Sequence, residues 1–156
     1  MQDNKLLLLI EELESKIPFR EEMNLKESQV NVGWHIEHVL MATVIITEQL
    51  LRSDPGKYKW HFNKNRLIVF TMNRIPRGKG KAPAFVKPKE KTSLAKIEKF
   101  MEIAKEKINA IAGLPPRSYI EHPYLGMLNF KSSIRFMCIH VKHHLKIIND
   151  ILGTER

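Results

Sequence analysis

Apolar residues along this chain recur mainly at intervals of three and four, the spacing that lines one face of an α-helix. The β-branched alternation that announces a sheet is missing, so the pattern predicts an all-α fold. Leu6, Leu9, Ile10 and Leu13 form a stripe over about Asn4 to Lys16, which Pro18 ends. Ser28 or Asn31 can cap a second helix running through Trp34, Ile36, Val39, Leu40, Ile45, Ile46, Leu50 and Leu51 to Ser53, where Asp54-Pro55-Gly56 breaks it. That helix is apolar on most of its circumference, which predicts a central place in the core. A shorter third helix is predicted from about Asn63 to Asn73. Thr92 or Ser93 caps a fourth, with Leu94, Ile97, Met101, Ala104, Ile108 and Ile111 in register until Gly113. The last begins near Asn129 and carries Ile134, Met137, His140, Val141, His144, Ile148 and Ile151 to Gly153. Between the third and fourth helices, Pro76, Gly78, Gly80, Pro83 and Pro88 forbid a continuous helix and predict a long crossover loop.

The length of 156 residues suits one domain over 1–156 with a single core. The longest purely apolar run, Leu6 to Ile10, is far short of the ~20 residues of a membrane span, and it passes directly into Glu11 and Glu12, unlike a secretory leader. One cysteine, Cys138, cannot form an intramolecular disulfide, so a reducing cytoplasm is the expected compartment.

Charge changes the picture because it is local. The net charge is +9, yet Lys57 to Lys91 alone holds eleven Lys/Arg against the single acid Glu90. A helical body of ordinary charge therefore carries one basic segment, suited to an anionic small molecule, a nucleic acid or an acidic partner, or simply to solvation. Arg74, Arg77, Lys79 and Lys81 are the candidate anion-binding residues in its loop, with Lys87 and Lys89 further along. Tyr58, Trp60 and Phe62 alternate with Lys57, Lys59 and His61, which fits stacking groups for a single-stranded nucleic acid but equally a short strand or a core plug.

Five of the seven histidines fall within two predicted helices. His140 and His144 are four apart on the apolar face defined by Met137, Val141 and Ile148, so their imidazoles stack toward the core. A divalent metal gives two such imidazoles a reason, because i,i+4 histidines can bring two nitrogens to the ~2.0–2.1 Å that zinc requires. A third ligand should come from another buried helix. His38 is the best candidate, sharing a face with Trp34, Met41, Ala42 and Ile45; His35 is the runner-up, and His143 points elsewhere. Val141 stands where an HExxH protease has its glutamate, so no general base is built into the pair. Glu37, next to His38, is a weak candidate for orienting that ring or accepting a proton, against the plainer reading of a surface glutamate.

Two stretches carry a family resemblance. His122-Pro123-Tyr124-Leu125-Gly126-Met127-Leu128-Asn129 is followed after ten residues by His140-Val141-Lys142-His143-His144-Leu145. The pair resembles the closing half of the DinB-like superfamily, in particular its domain-of-unknown-function branch with HP-x-x-G-x-L and H-x-x-H-H-L motifs. Trp34-His35-Ile36-Glu37-His38 is similar to the family's other signature, a tryptophan four residues before a ligand histidine. The resemblance implies an up-down-down-up four-helix bundle with a long crossover, and a divalent metal held by His38, His140 and His144. Relatives include thiol transferases, thiol-dependent isomerases and metal-dependent hydrolases, and they often dimerise. The expectation is therefore a metal-dependent enzyme of thiol transferase or hydrolase type. It would bind zinc or nickel, with iron or manganese also admitted, act on a small anionic substrate or low-molecular-weight thiol, and form a homodimer. The alternatives are a non-enzymatic metal-binding interaction protein and a nucleic-acid-binding module using residues 57–91.

Overall fold

A computed structural model of the chain describes residues 2–78, 81–89 and 91–154. Among them are five α-helices: α1 (Gln2–Glu14), α2 (Val32–Arg52), α3 (Lys64–Met72), α4 (Leu94–Ala110) and α5 (Phe130–Leu152). Side chains supply the stops and starts. Asn31 accepts from Trp34 N–H to open α2, Asn63 from Arg66 N–H to open α3, and Asn129 from Ser132 N–H to open α5, each at 2.9 Å. Ser93 caps α4, and Gly153 closes α5 in the left-handed conformation. Of the two caps open to α2 in sequence, Asn31 is used; Ser28 is engaged elsewhere.

Helix α2 packs against α4 and α5, and α1 packs against the same two. The stripe Leu6, Leu9, Ile10 and Leu13 is buried there with Ile36, Val39, Leu40 and Leu50 of α2, Ile97, Met101 and Ile108 of α4, and Ile134, Met137, Val141 and Ile148 of α5. No helix among the described residues is long and apolar enough to cross a membrane.

The expectation of helices alone needs one correction. Tyr119–His122 (β1) and Gly126–Asn129 (β2) form an antiparallel hairpin with His122 paired to Gly126. Four-residue strands are too short to show alternation, and the turn chemistry carries the signal instead. Residues 123–125 form a three-residue loop closed by Gly126 at φ +71°, the left-handed position such hairpins reserve for glycine. A Cβ there would also lie 2.5 Å from His61 Nε2, so the turn and the incoming 57–63 segment fit only around a glycine. His122 caps the turn: its Nδ1 accepts from the N–H groups of Tyr124 and Leu125 at 3.1 and 3.2 Å.

Segment 57–63 is neither strand nor core plug. Arg66 bonds the carbonyls of His61 and, at 2.8 Å, Met127, while Arg117 bonds Tyr58 O at 2.9 Å, which pins the segment to the hairpin. Trp60 and Phe62 are left 70% and 67% exposed. Among its described residues the crossover between α3 and α4 is a loop, as its prolines predict, with a 3-10 turn at Ala84–Val86 that packs on α2.

Candidate metal centre

Three imidazoles from two helices converge beneath that turn. His38 comes from the N-terminal half of α2, and His140 and His144 from successive turns of α5. Each offers one nitrogen, and the three atoms lie within 4.8 Å of one another. His38 and His144 are buried, and His140 is partly so. The arrangement depends on α2 and α5 packing side by side, which follows from the apolar faces both helices share with the core.

Two of the rings are held from behind by an aromatic. The Trp34 ring stacks on His38, with centroids 5.1 Å apart and planes 14° from parallel, and Phe136 stacks on His140 at 5.8 Å and 24°. His38 Nδ1 lies 2.7 Å from the carbonyl oxygen of Val86. A carbonyl can only accept, so that nitrogen carries the proton and Nε2 carries a lone pair. His38 Nε2 in turn lies 3.1 Å from His140 Nε2. Two nitrogens at that distance either share one proton or converge on one ion. For comparison, two imidazole nitrogens on a tetrahedral zinc at ~2.0–2.1 Å are themselves roughly 3.3 Å apart. The donor set therefore fits a divalent ion of borderline softness, for which imidazole is a preferred ligand.

Electrostatics favour the form of histidine that binds a metal. Burial is the first cause throughout. It lowers the pKa of His38, where the Val86 contact works against it, and lowers His140 and His144 well below the usual 6.5, assisted by repulsion among the imidazoles. Neutral imidazole, with its free electron pair, is the ligand form.

The other sequence candidates are placed as follows. His35, the runner-up, lies beside the cluster, its Nδ1 3.0 Å from His144 Nδ1. His143 packs edge-on to His144, and the Ile75 backbone and Arg77 lie near enough to affect its pKa, which burial lowers to about 4. Glu37 is neither a surface residue nor the partner of His38. One helical step of about 100° turns it toward α4, where it is fully buried with Lys96 Nζ 2.7 Å from Oε1 and no donor at hydrogen-bonding geometry on either oxygen. The group that orients His38 is Val86, a backbone carbonyl from the crossover loop.

Arg74, Arg77 and Lys81 are exposed, as are Lys87 and Lys89; Lys79 lies outside the described residues. Arg77 is an ion-pair bridge rather than an open cation, reaching Asp150 of α5 and, at 3.7 Å, Glu27. Lys87 stands close enough to His38 to lower its pKa. The loop's charge therefore borders the histidine cluster through Arg77 and Lys87.

Compared with known proteins, the chain matches no family model, no curated protein and no solved structure.

Proposed function

We propose that this chain is a metal-dependent enzyme of the DinB-like kind, of thiol transferase or hydrolase type, with a divalent ion held by His38, His140 and His144. One observation carries the reading: the two Nε2 atoms of His38 and His140 face each other at 3.1 Å while the far side of His38 is committed to Val86. The closed ring of contacts α2, α4, α1, α5 supports a four-helix bundle of that family's form. An ion at the centre would polarise a substrate or lower the pKa of a thiol or water, making a nucleophile near neutral pH. The protein's own contribution is orientation and exclusion of water, through the stacked rings of Trp34 and Phe136 and the covering turn at Ala84–Val86. Lys87, beside His38, would favour a small anionic substrate or a thiol bearing carboxylates, and the assembly we propose is a homodimer. Zinc and nickel suit three neutral imidazoles best, with iron and manganese as alternatives.

Protein purified without chelator should hold about one divalent ion per chain by elemental analysis. His38→Ala, His140→Ala and His144→Ala should each abolish stoichiometric binding. An ion-free protein that fails to take up zinc, nickel, iron or manganese on titration would overturn the reading.

The exposure of Trp60 and Phe62 beside Lys57, Lys59 and Lys64 favours a second reading, single-stranded nucleic-acid binding on the outer face of the hairpin. Titration with a short RNA distinguishes it: affinity would fall steeply with salt and be lost in Trp60→Ala with the ion retained.

A further inference from the structure

Only one nitrogen of His144 is free to serve an ion, and the reason lies in two residues the metal reading does not use. His144 Nδ1 is 3.0 Å from His35 Nδ1. The other nitrogen of His35, Nε2, is 2.9 Å from Ser28 Oγ, which also accepts from Val30 N–H at 3.2 Å. His35 and His144 are both buried, so this chain of contacts runs from the histidine cluster to the loop ahead of α2 without passing through solvent.

A neutral imidazole has one N–H and one lone pair, so the chain can have only two polarities. In the first, His144 Nδ1–H donates to His35 Nδ1, and His35 Nε2–H donates to Ser28 Oγ. The lone pairs of that hydroxyl are then taken by Val30 and His35, and His144 Nε2 is left as a lone pair. In the second, Ser28 O–H donates to His35 Nε2, His35 Nδ1–H donates to His144 Nδ1, and the proton of His144 sits on Nε2, where it blocks an ion. Reversing the chain therefore switches His144 between ligand and non-ligand.

We propose that Ser28 and His35 are positioning residues that hold His144 in the tautomer and angle needed to bind a divalent ion through Nε2. The inference rests on the metal reading above. His144 thereby has an outer support matching that of His38: a backbone carbonyl braces one ring, and a histidine anchored on a serine braces the other. Outer contacts of this sort typically change metal affinity by about 10–100-fold.

The test uses the full chain, stripped of metal and titrated with Co²⁺ and Zn²⁺ against a chromophoric chelator. It compares the wild type with His35→Ala, His35→Asn and Ser28→Ala, with circular dichroism as the check on folding. His35→Ala should bind one ion per chain about 10–100-fold more weakly than the wild type. His35→Asn, whose carboxamide oxygen can accept from His144 Nδ1–H, should recover part of the loss, and Ser28→Ala should fall between. The visible spectrum of bound Co²⁺ should keep the same bands in all four, since the coordinating atoms are unchanged. Wild-type affinity in His35→Ala overturns the proposal. So does a Co²⁺ spectrum altered in a way that reports loss of a nitrogen ligand, because His35 would then be a ligand itself. Should His35→Ala fail to fold, wild-type affinity in both His35→Asn and Ser28→Ala overturns it equally. A wild type that binds neither ion brings down the metal reading along with this one, whereas a metal-binding wild type with indifferent variants removes this inference alone.

Discussion

Six imidazoles in this chain are kept uncharged by their surroundings, and that sets the response to acid. Burial pushes the pKa of His35, His122 and His143 down to about 4 from 6.5, and lowers those of His38, His140 and His144. Between those values the unfolded chain binds more protons than the native one, so stability rises with pH across the window and drains away as pH falls through it. The urea midpoint of chelator-treated protein should decline continuously from about pH 6.5 toward 4, with a slope reporting several protons. A midpoint flat over that range would contradict the burial of these rings. At this scale the pairing of His140 and His144 is legible in sequence, because a four-residue spacing converts directly into a shared face, while His38 is picked out over His35 by its apolar face and the family resemblance, and the three do cluster. The supports of these rings are not legible there. Val86 contributes a carbonyl that every residue type possesses, and Ser28 precedes the helix start, where periodicity no longer says which way a side chain points.

The elements were legible in proportion to their length. Helices α2, α4 and α5 span many turns and announce themselves by repetition and by their asparagine and serine caps, whereas the hairpin at 119–129 is shorter than the window in which alternation can be recognised. Glu37 shows the cost of reading neighbours along the chain as neighbours in space. It sits beside His38 in sequence, yet it is buried in the contact between α2 and α4 and faces Lys96. Lys96→Met should therefore leave an uncompensated buried carboxylate and destabilise the protein by about 1–3 kcal/mol. Glu37→Gln should cost less, since it removes the charge along with the need for a partner. Chemical denaturation measures both, and divalent-ion content should be unchanged in either variant because this pair points away from the histidines. Loss of the ion in Glu37→Gln would return Glu37 to the metal centre.

At the scale of the molecule, the basic segment is best understood by what it is fastened to. Its first part is pinned to the hairpin by Arg66 and Arg117, and its crossover is tied to α5 through Arg77 and to α2 through Val86. The sequence pattern foretold a long loop rich in lysine and arginine, but could not say that the loop lies over the histidine cluster, since prolines and glycines mark where a helix stops rather than where the chain goes next. That contact at Val86 would make the loop and an ion at the proposed centre thermodynamic partners. If an ion steadies His38 and His38 steadies the loop, then whatever holds the loop in place must tighten the ion by the same factor. Arg74, Lys81 and Lys89 offer trypsin its cleavage sites there, so zinc should slow proteolysis within the crossover. Conversely, a chain nicked between Lys81 and Lys87 should hold zinc less tightly than the intact one while its helical circular dichroism persists. The same reciprocity would extend to any anion gathered by those lysines: a ligand that steadied the crossover would tighten an ion at the proposed centre.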